Sequence, residues 1–95
     1  MKSDYQISII SRLRTIRQEH NLSQAQIASL LDISTGQMGN IETPKAAHKY
    51  TLGQIYAICK ALHISIADIF LNKEDKQLPA DEQIDLLVQK LVEYD

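Results

Sequence analysis

The feature that most constrains this chain is a pair of helix-start signals only eleven positions apart. Ser23 with Gln26, and Ser34 with Gln37, are each an S-x-x-Q capping box, in which hydroxyl and side-chain amide satisfy otherwise orphaned N–H groups reciprocally. Each box carries a hydrophobic staple, Leu22 with Ile27 and Ile33 with Met38. The first helix is thereby confined to about Gln24–Leu31, and the second to Thr35 through about Glu42. Asp32 and Ile33 are all that is left for the turn. Two short helices joined so tightly cannot lie antiparallel and must cross steeply. Ile27, Ala28, Leu31, Ile33, Met38 and Ile41 then fall on the inner faces, and Thr35, Gly36, Gln37 and Asn40 are turned outward.

Helical periodicity continues on both sides of this unit. Tyr5, Ile9, Leu13 and Ile16 form the stripe of an amphipathic helix over residues 4–20, with Asp4 as its cap and Asn21 as its stop. Arg12, Arg14 and Arg17 lie on or beside its wet face. After Glu42 comes a loop with Pro44, Lys45, His48 and Lys49. A third box, Thr51 with Gln54, opens a helix through Leu62, and a variant, Ser65 with Asp68, opens a short helix ending near Leu71. Residues 72–77 read as a charged linker. Pro79 sits at a first helical position, followed by a stripe of Ile84, Leu87, Val88, Leu91 and Val92. The pattern predicts an all-α fold: a five-helix domain over residues 1–71, then a linker and an amphipathic C-terminal helix over 72–95.

Composition narrows the chemistry. A chain of 95 residues buries a modest core but not a deep catalytic cavity as well. The single Cys59 cannot form an internal disulfide and suits a reducing cytoplasm. His20, His48 and His63 have no metal-like spacing, and no nucleophile–base arrangement or phosphate-cradling glycine loop is present. No enzyme activity, metal or cofactor is expected. No apolar run approaches a membrane span, and M-K-S-D-Y-Q has no secretory pattern, so the expected location is cytoplasmic. The net charge of −2 is unevenly spread. Residues 1–71 hold seven Lys/Arg against five Asp/Glu, and residues 72–95 hold three against seven. The body is mildly basic and the tail acidic, a weak electrostatic footprint for a nucleic-acid partner.

The residues carry a resemblance as well. L-R-T-I-R-Q-E-H-N-L-S-Q-A-Q-I-A-S-L-L-D-I-S, then M-G-N-I-E, then T-L-G-Q-I-Y-A-I-C-K-A-L-H-I-S-I-A-D-I-F, resembles the lambda-repressor-like (XRE) helix-turn-helix family of DNA-binding regulators. The likeness covers about residues 9–71. It implies that the helix Thr35–Glu42 enters the major groove, where small and amide-bearing side chains read base edges. By position it makes Thr35, Gly36 and Asn40 the base-facing set, puts Gln24 and Gln37 beside the backbone or adjacent bases, and pairs Arg17 with Glu42. Three departures stand out: Asp32 in place of the usual turn glycine, a longer connection to the Thr51 cap, and a recognition helix with two glycines and no Lys or Arg.

These observations point to a sequence-specific transcriptional regulator that binds a double-stranded DNA operator, of homodimeric repressor type. Lys45 and Lys49 are its phosphate contacts. Ile84, Leu87, Val88, Leu91 and Val92 form its dimer or partner interface, favoured as a contact between two copies because a two-fold operator needs a dimer. Two alternatives use the same domain. One is the antitoxin of a toxin–antitoxin pair, which binds its own promoter while residues 72–95 neutralise a toxin. The other is a protein-interaction module that has lost DNA binding.

Overall fold

The computed structural model describes all residues, Met1–Asp95, and every regular element in it is helical. The elements are α1 (Asp4–Glu19), α2 (Gln24–Leu31), α3 (Thr35–Glu42), α4 (Leu52–Ala61), α5 (Ile66–Phe70), a 3₁₀ turn (Asp75–Gln77) and α6 (Ala80–Tyr94). Full capping boxes open α2, α3 and α4, where both reciprocal hydrogen bonds are made. Three C-terminal turns are left-handed at non-glycine residues: Asn21, Asp32 and His63, with φ near 56°. Asp32 closes α2 at φ 57°, ψ 45°, so Asp supplies the left-handed cap that glycine commonly provides.

The caps differ from expectation in three places. Ser3, not Asp4, caps α1: its hydroxyl accepts from the Gln6 N–H at 3.1 Å and Gln6 Oε1 accepts from the Ser3 N–H at 2.9 Å. Asp4 is the acidic residue of the first turn. Ser65 accepts only from the Ala67 N–H, because the Asp68 carboxylate pairs instead with Lys76. Pro79 is the residue before α6 rather than its first helical one.

The core is one cluster to which every long helix contributes, with Ile9, Ile10, Leu13, Ile27, Met38, Ile41, Ile55, Ile58, Ile69 and Phe70 all nearly inaccessible. Leu31 and Ile33, expected inside, are half-buried against it. The C-terminal helix belongs to the same core. Tyr94 is fully buried, edge-on to Phe70 with centroids 5.9 Å apart, and its hydroxyl donates to the Tyr50 carbonyl at 2.8 Å. Burial raises the phenol pKa of both Tyr50 and Tyr94 well above the ordinary value. Leu87 and Leu91 also face the core. The stripe on α6 is therefore split. Only Ile84, Val88 and Val92 remain exposed, at 65%, 52% and 71%. Two of the five side chains expected at an interface with another molecule cover the chain's own domain instead. The reason is Tyr94: it continues the Leu87–Leu91 line by one more turn and is the residue with most area to hide.

Candidate nucleic-acid interface

The geometry is built around one buried carboxylate. Glu42 ends α3, and its side chain is 3% exposed. Arg17 donates to it twice, from Nε to Oε2 at 2.8 Å and from Nη2 to Oε1 at 2.9 Å, the bidentate fork that suits a guanidinium to a carboxylate. The Arg17 pKa is raised, first by this hydrogen bonding, against the desolvation of its own burial. A third donor is Gln24 Nε2, at 2.9 Å from Oε1. Arg17 Nη1 also donates to the Leu22 carbonyl at 2.7 Å, just before the cap of α2. One clamp thus joins α1, the start of α2 and the end of α3. The relative placement of the two central helices is set by charge and hydrogen bonds as well as by packing.

A second brace holds the C-terminal end of α3. Lys2 is buried, and its ammonium donates to the carbonyls of Ile41 at 2.6 Å and Asn40 at 3.3 Å. A cation there complements the negative end of the helix dipole. Its desolvation lowers the ammonium pKa. Below α3, the Tyr50 hydroxyl lies 3.5 Å from Met38 Sδ. None of these supports announces itself in the sequence. Lys2 precedes the first helix and reads as an ordinary charged end, and Tyr94 falls two residues past the last aliphatic residue of its stripe.

With the inner side so held, α3 presents Thr35, Gly36, Gln37 and Asn40 to solvent. Gln37 spends its Oε1 on the capping box, which leaves its amide nitrogen outward. A Cβ built on Gly36 would come no closer than 3.8 Å to Ser34 Oγ, and one on Gly39 no closer than 3.9 Å to Gln24 Oε1. Nothing inside the protein demands a glycine at either position. Gln24 lies beside Gly39 with its amide nitrogen tied to Glu42, so its oxygen borders the exposed face.

Gln37 and Lys49 share a cleft of about 150 Å³ with His48, Thr51 and Gln54, beside the start of α3. Lys49 is not free in it: its ammonium donates to the carbonyls of Asp95 at 2.8 Å and Tyr94 at 3.3 Å. Lys45 stands exposed in the turn after α3. No group of three or more His, Cys, Asp or Glu residues is arranged to hold a metal ion. Cys59 is buried, and burial raises its thiol pKa.

The profile of a family described as a Cro/C1-type HTH DNA-binding domain matches residues 12–74, from the middle of α1 through α5. The chain belongs to that family. It matches no curated protein and no solved structure with significance. Membership makes the Cro/C1-type chain a DNA-binding regulator, and its α2–α3 unit is the helix-turn-helix of the family. The match stops before α6, so it says nothing of that helix. No helix is long and apolar enough to cross a membrane.

Proposed function

We propose that this chain is a sequence-specific repressor that lays α3 in the major groove of a two-fold operator, one copy to each half-site. The observation that carries the reading is the contrast between the two sides of α3. One side is fixed by Glu42, Lys2, Met38 and Ile41, and the other offers Thr35, Gly36, Gln37 and Asn40 uncovered. A recognition helix needs that combination, because base discrimination requires side chains held in register. Asn40 is the residue suited to bidentate pairing with adenine, and Thr35 to a hydroxyl or methyl contact. Gln24 supports from the start of α2, and Lys45 touches phosphate. Repression follows from occupancy, since a domain lodged in the groove excludes other proteins from the same DNA. The family and the reducing environment suited to Cys59 agree with work in the cytosol.

The two copies are brought together by the operator. The exposed ridge of α6 is edged by Asp81 and Asp85, and like charges there act against a contact between copies. Selection of bound fragments from random duplex DNA gives the operator, and variants then test the roles. Asn40→Ala reduces discrimination between operator and scrambled DNA by about 1–3 kcal/mol, and Thr35→Ala by less. Lys45→Ala weakens binding to both by the same factor. Lys45→Ala changing sequence preference while Asn40→Ala leaves it intact overturns the assignment.

A further inference from the structure

The α6 residues that the core does not use form a surface of definite chemistry. Ile84, Val88 and Val92 are spaced by four, so they stand in one line along the helix, and all three are more than half exposed. At the N-terminal end this ridge runs into a groove of about 250 Å³ between α5 and α6, floored by Leu71 and Leu87. Asp81 and Asp85 are exposed on the same side of the helix, between and beside the apolar residues. The nearby cations are turned elsewhere. Lys90 lies 5.3 Å from the Tyr5 ring centre and 3.6 Å from Glu93, and Lys76 is paired with Asp68. The outer face of α6 is thus an apolar ridge edged by Asp81 and Asp85, neither of which is in an ion pair.

We infer that this face docks an amphipathic helix of another protein, one with an apolar stripe flanked by Arg or Lys. Charge decides the occupant. A second copy of this chain is disfavoured: antiparallel pairing centred on Val88 sets Asp81 opposite the other copy's Asp95, and parallel pairing sets Asp81 and Asp85 against themselves. Like charges brought together in this way act against association. The phosphate backbone is repelled by the same carboxylates. A basic amphipathic helix covers the ridge with its apolar stripe and meets each aspartate with a cation, the helix-in-groove mode of recognition.

The test uses the full chain and two synthetic amphipathic helices with one leucine stripe in common, one flanked by arginine and one by glutamate. The arginine peptide is expected to bind and to shift the amide resonances of residues 80–92, and the glutamate peptide is not. Asp81→Lys with Asp85→Lys, at exposed positions that leave the fold intact by circular dichroism, weakens the arginine peptide roughly tenfold or more and leaves operator binding unchanged. Equal binding of both peptides, binding of neither, or shifts confined to other surfaces overturns the inference. So does a chain that sediments as a dimer at micromolar concentration and becomes monomeric on Val88→Asp, because the face then belongs to a second copy.

Discussion

Replacing Glu42 by alanine is the sharpest probe of the clamp. The carboxylate is 3% exposed and receives three side-chain donors, while Arg17 is 11% exposed. Breaking a buried ion pair by removing one partner costs about 3–5 kcal/mol, since the other charge stays desolvated without compensation. Two details of the site act on that figure in opposite directions. Arg17 keeps its bond from Nη1 to the Leu22 carbonyl, which softens the loss. Arg14, whose Nε lies 3.8 Å from Glu42 Oε1, becomes an uncompensated like charge near Arg17, which deepens it. Gln24 Nε2 loses its partner as well, but it is half-buried and can turn to water. A loss of about 3 kcal/mol is therefore expected.

For a domain of this size each kcal/mol moves the melting midpoint by about 4–8 °C, so Glu42→Ala lowers it by more than about 12 °C in the absence of DNA. Thermal and urea denaturation followed by circular dichroism measures it. The double variant Arg17→Met with Glu42→Leu should be more stable than Glu42→Ala alone, because it buries no unpaired charge. A single-variant loss below about 1 kcal/mol, the range of exposed ion pairs, or a double variant worse than the single, would refute the reasoning.

Two further outcomes follow from particular side chains. Gly36→Ala and Gly39→Ala should each stabilise the free protein by up to about 1 kcal/mol, since a methyl group at either site meets only ordinary contacts; thermal melts that show a loss at either position contradict the packing described. Tyr94→Phe should cost about 1–3 kcal/mol at neutral pH by stranding the buried Tyr50 carbonyl. It should also flatten the alkaline limb. The folded pKa of Tyr94 is raised, so its contribution is complete below the unfolded value of about 10 and is lost as pH rises above it. Tyr50 and Cys59 have the same sign, with the thiol acting from about pH 8.5, while Lys2, whose pKa is lowered, opposes them. Urea titrations from pH 8 to pH 11 that run parallel for the two proteins exclude that role for Tyr94.

The helix-turn-helix was legible because its signals are local. A capping box acts within four residues, and two boxes eleven apart leave only one length for the helix between them. The Arg17–Glu42 pairing was legible only through resemblance, because no local rule joins residues 25 apart in sequence. The long-range braces were not legible at all. Lys2 reaches the end of α3 across 39 positions, and Tyr94 reaches Tyr50 across 44. The same limit explains the tail. A stripe of Ile84, Leu87, Val88, Leu91 and Val92 fits a face wide enough for one contact, and periodicity does not say that two surfaces share it. The terminal tyrosine rotates the buried face toward Leu87 and Leu91 and leaves the other edge to solvent.

The disposition of the cations carries a last prediction, on how binding responds to salt. Residues 1–71 hold seven Lys and Arg, and four of them are engaged inside the protein. Arg17 is paired with Glu42, Lys2 donates to the end of α3, Lys49 to the end of α6, and Arg12 to the Ile69 carbonyl. Arg14, Lys45 and Lys60 remain exposed, and Lys45 alone of these stands in the turn that follows α3. Each phosphate neutralised contributes about −0.9 to the slope of log K against log salt. With Lys45 as the cation beside α3, and at most one more drawn in, the slope per bound copy should lie between about −1 and −2. Affinity then rests on groove contacts, and discrimination between operator and random DNA should survive added salt better than in a strongly basic domain. Fluorescence anisotropy on operator and scrambled duplexes across a salt series measures both quantities. A slope steeper than about −4 per copy would mean that Lys2, Lys49 or Arg12 leaves its carbonyl to reach phosphate, and Lys49→Ala would then flatten it.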